Sequence, residues 1–166
     1  TGLCAGFVGQ AIGRIGCLLV GDDHGSVVPE GARDLPFPIT LQVPSAEWLE
    51  ANPESLFGRE LAGETLWATQ PWMTFNALVI AAVAFWLLKR RRYVGQVSQW
   101  ICVHYAVTRF AIEAFRGDAI RGTWFGGALS TSQLVSIPLL LFGLFLLFKN
   151  RARREDVPGR VVAAGN

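Results

Sequence analysis

NALVIAAVAFWLL, residues 76–88, runs directly into Lys89-Arg90-Arg91-Arg92, and that junction decides the fold. With its apolar lead-in from Pro71, the run approaches the ~20 residues that a helix needs to cross a bilayer. IPLLLFGLFLLF (137–148) repeats the arrangement and is followed by Lys149, Arg151, Arg153, Arg154 and Arg160. Composition agrees. Of 166 residues, 51% are hydrophobic and 17% charged, where a soluble domain would carry about 25% charged. Mean hydropathy is +0.34. The net charge of +2 gives no footprint for nucleic acid, because the basic residues gather in two clusters just past apolar runs.

Two further segments, Gly2–Val20 and Gly95–Phe115, are long enough to span but more polar. The expected fold is an all-α polytopic membrane protein with four transmembrane helices, at about 2–20, 71–88, 95–115 and 130–148. The first and third should pack inside the bundle. The positive-inside rule puts both basic clusters in the cytoplasm. Residues 21–70 then form a small extracytoplasmic lobe between the first and second spans, on the same side as the turn Arg116–Leu129. Nine of the thirteen acidic residues lie in that lobe, with only Arg33 and Arg59 as basic ones. Residues 1–150 make the membrane domain and 151–166 a basic cytoplasmic tail. In the lobe, ITLQV (39–43) reads as a short strand. SAEWLEAN (45–52) reads as a helical turn capped by Ser45, with Trp48 on its apolar side. The chain opens on Thr1 without a charged n-region, so its first apolar stretch is not a signal peptide, and a piece or processed product of a longer chain is expected. Cys4, Cys17 and Cys102, an odd set without a CxxC pattern, read as small buried hydrophobes.

Polar residues inside these spans carry the functional signal. Glycines at 2, 6, 9, 13 and 16 form a stripe that lets another helix approach. Gln10, Arg14 and Cys17 form the adjacent stripe, which holds Arg14 within protein. Tyr105, Arg109, Glu113 and Arg116 share one face of the third span, with His104 and Thr108 on its flank. His104 reads as a packed helix residue. A charge at mid-bilayer costs at least about 2.5–3.5 kcal/mol, so Arg109 and Glu113 are expected to neutralise each other. Arg14 lies seven residues before Gly21, and Arg109 seven before Arg116. Both are therefore roughly 10 Å below the outer end of their helix. Asn76 and Gln133 reach the same level, where they, Ser130 and Ser132 are also ordinary interhelical hydrogen-bonding residues. The guanidinium fork suits phosphate, and an anionic lipid head group is the natural missing partner. Asp22, Asp23 and His24 admit a general-base pair, a divalent metal site or a plain turn.

Gly13-Arg14-Ile15-Gly16-Cys17 through Gly21-Asp22-Asp23-His24-Gly25 resembles the signature of the bacterial prolipoprotein diacylglyceryl transferases. Tyr105, Arg109-Phe110, Glu113 and Phe115-Arg116-Gly117-Asp118, then Arg121-Gly122 and Leu129–Gln133 with Ser136, are similar to its later motif. The resemblance covers most of residues 9–148. It implies a multi-pass enzyme of the bacterial inner membrane, with its C-terminus cytoplasmic and no metal or other cofactor. Such an enzyme moves the diacylglyceryl group of phosphatidylglycerol to the lipobox cysteine thiol of a prolipoprotein, whose signal peptide it must engage, and releases glycerol phosphate. By resemblance Arg14 binds the lipid phosphate, Arg109 is a second essential arginine, and Asp22 and Glu113 hold the motifs' acidic positions. Arg109, Arg116 and Gln133 are expected to join Arg14 at the phosphate, and Arg109, Asp22, Glu113 and His24 to serve catalysis. The family's His-Gly-Gly segment, with its candidate base, is expected outside this chain. Its His-Pro-Thr/Ser-Gln-Leu-Tyr-Glu motif falls at Gln70–Asn76, here Gln-Pro-Trp-Met-Thr-Phe-Asn. That departure keeps open a non-catalytic paralogue that binds anionic phospholipid or a membrane partner. A transporter would need a polar path that VAFWLL and LFGLFLLF do not offer.

Overall fold

Five helices carry the architecture of the computed structural model, which describes residues 2–117 and 122–151. They are α1 (Gly2–Val20), α2 (Ala46–Ala51), α3 (Thr69–Arg90), α4 (Gln96–Glu113) and α5 (Thr131–Lys149). Of these, α1, α3 and α5 are long and apolar enough to cross a membrane. Their bounds fall within two residues of the expected spans. The fourth long helix, α4, carries Gln96, Gln99, His104, Arg109 and Glu113 along 18 residues, which lowers its hydropathy.

Helix α1 lies on α3 and α4 on α5, while α3 touches α4 across the middle. Cys4, Ile80, Ala84, Val97 and Ile101 form the shared core, and Phe7 meets Tyr105 edge-on with ring centroids 5.7 Å apart. A Cβ at Gly143 would lie 2.8 Å from Val103 Cγ2, so glycine at that point lets α5 close on α4.

No helix among the described residues packs on the glycine stripe of α1. A Cβ at Gly2, Gly6, Gly9, Gly13 or Gly16 would meet nothing within 4 Å, and most of α1 is exposed rather than interior. The stripe of Cys4 and Ala11 is the buried one. The small residues that admit close approach sit on α3 instead, where Ala77, Ala81 and Ala84 are buried at i, i+4 and i+7. The side that α1 buries is itself small, with Cys4 and Ala11, while Leu3, Ile12, Ile15 and Leu19 stay exposed.

Residues 21–68 fold as a small cap on one end of the bundle. Strand β1 (Thr40–Gln42) pairs antiparallel with β2 (Thr65–Trp67), with Leu41 opposite Leu66. The far edge of β2 binds residues 25–28, through Gly25 N–H to Trp67 O (3.1 Å), Trp67 N–H to Ser26 O (3.0 Å) and Val28 N–H to Thr65 O (2.8 Å). Ser26 N–H in turn donates to Phe115 O at 2.8 Å, just past α4. The ribbon thus runs β1, β2, 25–28, 115–116, and it ties the cap to the end of α4. Ser45 caps α2 as expected, accepting from Trp48 N–H at 3.4 Å. The buried side of α2 differs from the expectation: Leu49 packs with Val43 and Leu66, while Trp48 is 47% exposed. So short a helix turns one position toward β2, and a step of about 100° carries Trp48 off it. A hairpin, β3 (Thr123–Trp124) with β4 (Leu129–Ser130), precedes α5. Cys4 is buried as expected, whereas Cys17 and Cys102 are half-buried. Within the basic tail, Arg153, Arg154 and Arg160 lie outside the described residues, as do Asp118 and Arg121 of the later motif.

Candidate functional site

Helix α1 ends because Gly21 adopts φ +83°, and the N–H groups of Gly21 and Asp22 both donate to Cys17 O, at 3.0 and 2.9 Å. A Cβ there would lie 2.4 Å from the Phe57 ring, so glycine is required twice over. Asp23 is also left-handed (φ 55°), a conformation that aspartate tolerates better than most residues. The first turn of α3 holds this turn by its backbone. Gln70 Nε2 donates to Asp22 O (2.8 Å) and Thr69 Oγ1 to Asp23 O (3.0 Å), both from fully buried side chains.

So fixed, the Asp23 carboxylate accepts from two guanidiniums. Arg14 Nη1 bonds Oδ2 and Arg116 Nη2 bonds Oδ1. Arg14 comes from the middle of α1, and Arg116 from the strand-like segment after α4. Half-burial alone would raise the Asp23 carboxyl, but Arg116 and Arg14 outweigh it and hold it below the ordinary carboxylate range. A depressed folded value means that the contact stabilises fully above the unfolded value of about 3.9. The stability is lost as pH falls through the folded value. The stability difference between the wild-type chain and Asp23→Asn should therefore stay flat from pH 7 to 5 and shrink toward zero below pH 4. Thermal unfolding in detergent across that range checks it, and a difference that grows on acidification would contradict the ion pairing.

A second arginine centre lies on α4. Arg109 Nη2 is 2.8 Å from Glu113 Oε2 and donates to Ser132 Oγ of α5 at 2.8 Å, while Nη1 lies 3.8 Å from Met73 Sδ of α3. Glu113 is almost wholly buried (2% exposed). Arg109 lines a 240 Å³ cleft between α4 and α5 together with Tyr105, Ser132, Val135, Ser136 and Leu139. Nearby, Asn76 donates to Thr108 Oγ1 (2.9 Å) and lies 3.3 Å from His104 Nε2, joining α3 to α4. Trp100 stacks on the His104 ring with centroids 4.9 Å apart, so His104 is packed, as expected.

The structure sorts the candidate residues. Arg109 and Glu113 pair as expected. Arg14 and Arg116 meet, but through Asp23, which sequence reasoning passed over in favour of its neighbour. Arg14 and Arg109 each engage a different carboxylate. Asp22 is exposed, and its Oδ1 accepts only the local Asp23 N–H at 2.8 Å among the hydrogen bonds described. His24 Nδ1 lies 2.9 Å from Gly25 O and its ring leans on Phe57. Asp22 and His24 line a 390 Å³ pocket of the cap together with Glu60, not the cleft of Arg109. Gln133 serves the capping box of α5: its N–H donates to Ser130 Oγ (3.2 Å), and its Oε1 accepts from Ser130 N–H (3.0 Å). Cys17 Sγ and carboxylate oxygens of Asp22 and Asp23 lie within 4.8 Å of one another. With a guanidinium already on each Asp23 oxygen, that grouping is poorly suited to a divalent cation.

A family model described as prolipoprotein diacylglyceryl transferase matches residues 2–149. Several relatives carry the name phosphatidylglycerol–prolipoprotein diacylglyceryl transferase. The relative from Solidesulfovibrio magneticus is 33% identical over 141 residues, which cover 84% of this chain and 46% of that protein. Those from Mannheimia succiniciproducens and Rhodospirillum centenum are 29% and 27% identical, each over 87% of this chain and 47% of its own length. The chain thus spans about half the length of the curated relatives it matches.

Proposed function

The chain belongs to the prolipoprotein diacylglyceryl transferase family, and on that premise we propose that it supplies the phosphate-recognising part of an enzyme for lipoprotein biosynthesis. The enzyme transfers the diacylglyceryl group of phosphatidylglycerol to the lipobox cysteine thiol of a prolipoprotein. One observation carries the reading. Two arginine centres stand at the cap end of a helical bundle: Arg14–Asp23–Arg116 joins the two family-like motifs, and Arg109–Glu113 lies in the later one.

Four helices cross the bacterial inner membrane in this reading, α4 being shielded by α3 and α5. The cap lies outside, and the basic ends of α3 and α5 lie in the cytoplasm. Trp67, Trp72 and Phe115, with centroids 5.4–5.9 Å apart, suit the aromatic belt of the outer interface.

The thiolate attacks the glyceryl carbon, a C–S bond forms, and the C–O bond to phosphate breaks. Glycerol phosphate leaves with the electron pair, so its phosphate gains negative charge in the transition state. Donors already aimed at that charge lower the barrier, and Arg109 and Arg14 are suited to the role, with Arg116 beside Arg14. The thiol proton must pass to a base. Asp22 and His24 are this chain's candidates, and their pocket in the cap is open to an incoming peptide.

The test uses the full-length protein in proteoliposomes with a lipobox peptide. Phosphatidylglycerol should give a thioether-linked diacylglyceryl peptide and an equal amount of glycerol phosphate, and phosphatidylcholine should give neither. Absence of product with phosphatidylglycerol, under conditions where a known relative turns over, would reject the transferase reading.

A further inference from the structure

We propose that Asp23 is a positioning residue, whose carboxylate gathers Arg14 and Arg116 into one seat for the phosphate of an anionic lipid before the lipid arrives. The lipid as occupant rests on the function proposed above, but the gathering rests on geometry alone. Arg14 and Arg116 come from elements that share no backbone pairing with each other, and two guanidiniums so close repel. Asp23 offsets this with one oxygen to each. One carboxylate between two guanidiniums leaves that trio at about +1, and the neighbouring Asp22 carboxylate, exposed and screened by solvent, offsets only part of it, so the trio complements a phosphodiester.

Nothing about the seat is left to a flexible side chain alone. Gln70 and Thr69 hold the carbonyls of Asp22 and Asp23, and the bridge of Gly25 to Arg116 fixes the strand that carries the second guanidinium. Asp23 is also the better placed of the two adjacent carboxylates, since Asp22 is exposed and bonds only its neighbour's N–H among the hydrogen bonds described.

The experiment combines Asp23→Asn, Asp23→Glu, Arg116→Gln and the Asp23→Asn/Arg116→Gln double variant in the full-length protein. In nanodiscs, retention of phosphatidylglycerol over phosphatidylcholine is read by native mass spectrometry, and thermal unfolding is read alongside it. Asp23→Asn should weaken phosphatidylglycerol retention about tenfold, the scale of one charge-assisted hydrogen bond. Asp23→Glu should recover most of it, and the double variant should bind no more weakly than Arg116→Gln alone. In the transfer assay, Asp23→Asn should raise KM for the lipid and lower kcat as well, because Arg14 is then no longer held for the charge that develops on the phosphate.

Unchanged or tighter binding in Asp23→Asn overturns the proposal, the tighter result meaning that Asp23 competes with phosphate. Losses that multiply in the double variant, or equal retention of both lipids by the wild-type protein, overturn it too. A wild-type protein that prefers phosphatidylglycerol yet transfers nothing rejects the transferase reading, while the binding series still decides the role of Asp23.

Discussion

Arg109→Ala is expected to lower diacylglyceryl transfer by about 10²–10³-fold, the cost of removing one preorganised donor from a developing negative charge. The reason lies in where Arg109 sits. Its guanidinium is held through Nη2 by both Glu113 and Ser132, which leaves little reorganisation to make as the phosphate gains charge. Along α5 the lining of its cleft passes from Ser132 in the first turn to Val135 and then Leu139 further down the helix, an order that suits a head group above acyl chains. The same substitution strips the ionic partner from a carboxylate that is almost wholly buried, which costs about 3 kcal/mol of stability or more. The two effects can be separated. Arg109→Ala with Glu113→Gln should regain most of the stability and none of the transfer. Arg109→Lys should keep the charge but lose the fork, and fall between wild type and alanine. Initial rates in proteoliposomes and unfolding in detergent provide both readouts. A wild-type rate in Arg109→Ala would remove the residue from the reaction.

How much of this was legible in the sequence depends on the range of the interaction. The long helices were readable because a membrane span is set by local composition. The Arg109–Glu113 pair was readable because i, i+4 neighbours meet on any helix. Ser45 and the strand at Thr40–Gln42 followed from local capping and alternation. The face that α1 buries did not, because it is decided by the surface that α3 offers. Small residues permit close approach, and here Cys4 and Ala11 of α1 and Ala77, Ala81 and Ala84 of α3 are the buried ones, not the glycines. Asp23 was missed for a related reason. Two adjacent aspartates are equivalent by composition, and only the turn at Gly21, with Thr69 and Gln70 gripping its carbonyls, aims the second inward and leaves the first exposed. The signal that could have found it lies at Thr69-Gln70, two hydrogen-bonding side chains opening a helix that has no side-chain cap of its own. Gln133 has a second role that its spacing also announced: Ser-x-x-Gln ahead of an apolar run is a capping pattern, and its Oε1 and N–H complete that cap.

Gly25→Ala is expected to be the most damaging small substitution outside the helices. An added Cβ would lie 2.3 Å from Trp67 O and 2.6 Å from Trp67 Cβ, inside a backbone ladder rather than against a movable side chain. The strand cannot retreat to the other side, because Gly117 already rests against Ser26: a Cβ at 117 would be 2.4 Å from Ser26 Cα. Residues 25–26 are thus clamped between β2 and the segment that carries Arg116. The clash must break the Gly25–Trp67 hydrogen bond or push that segment away, at a cost of about 3 kcal/mol for overpacking without relief. If it moves, Arg116 leaves Asp23, and the lipid-binding defect should match that of Arg116→Gln although no charge has been removed. Gly58→Ala is the control. Its Cβ would meet only the carboxylate of exposed Glu60, which can swing aside, so its effect should stay within about 0.5 kcal/mol. Thermal unfolding and phosphatidylglycerol retention on both variants decide the matter. Should Gly25→Ala be as mild as Gly58→Ala, the ribbon of β2, 25–28 and 115–116 is not what holds Arg116 in place, and the seat must be held by the ion pairs alone.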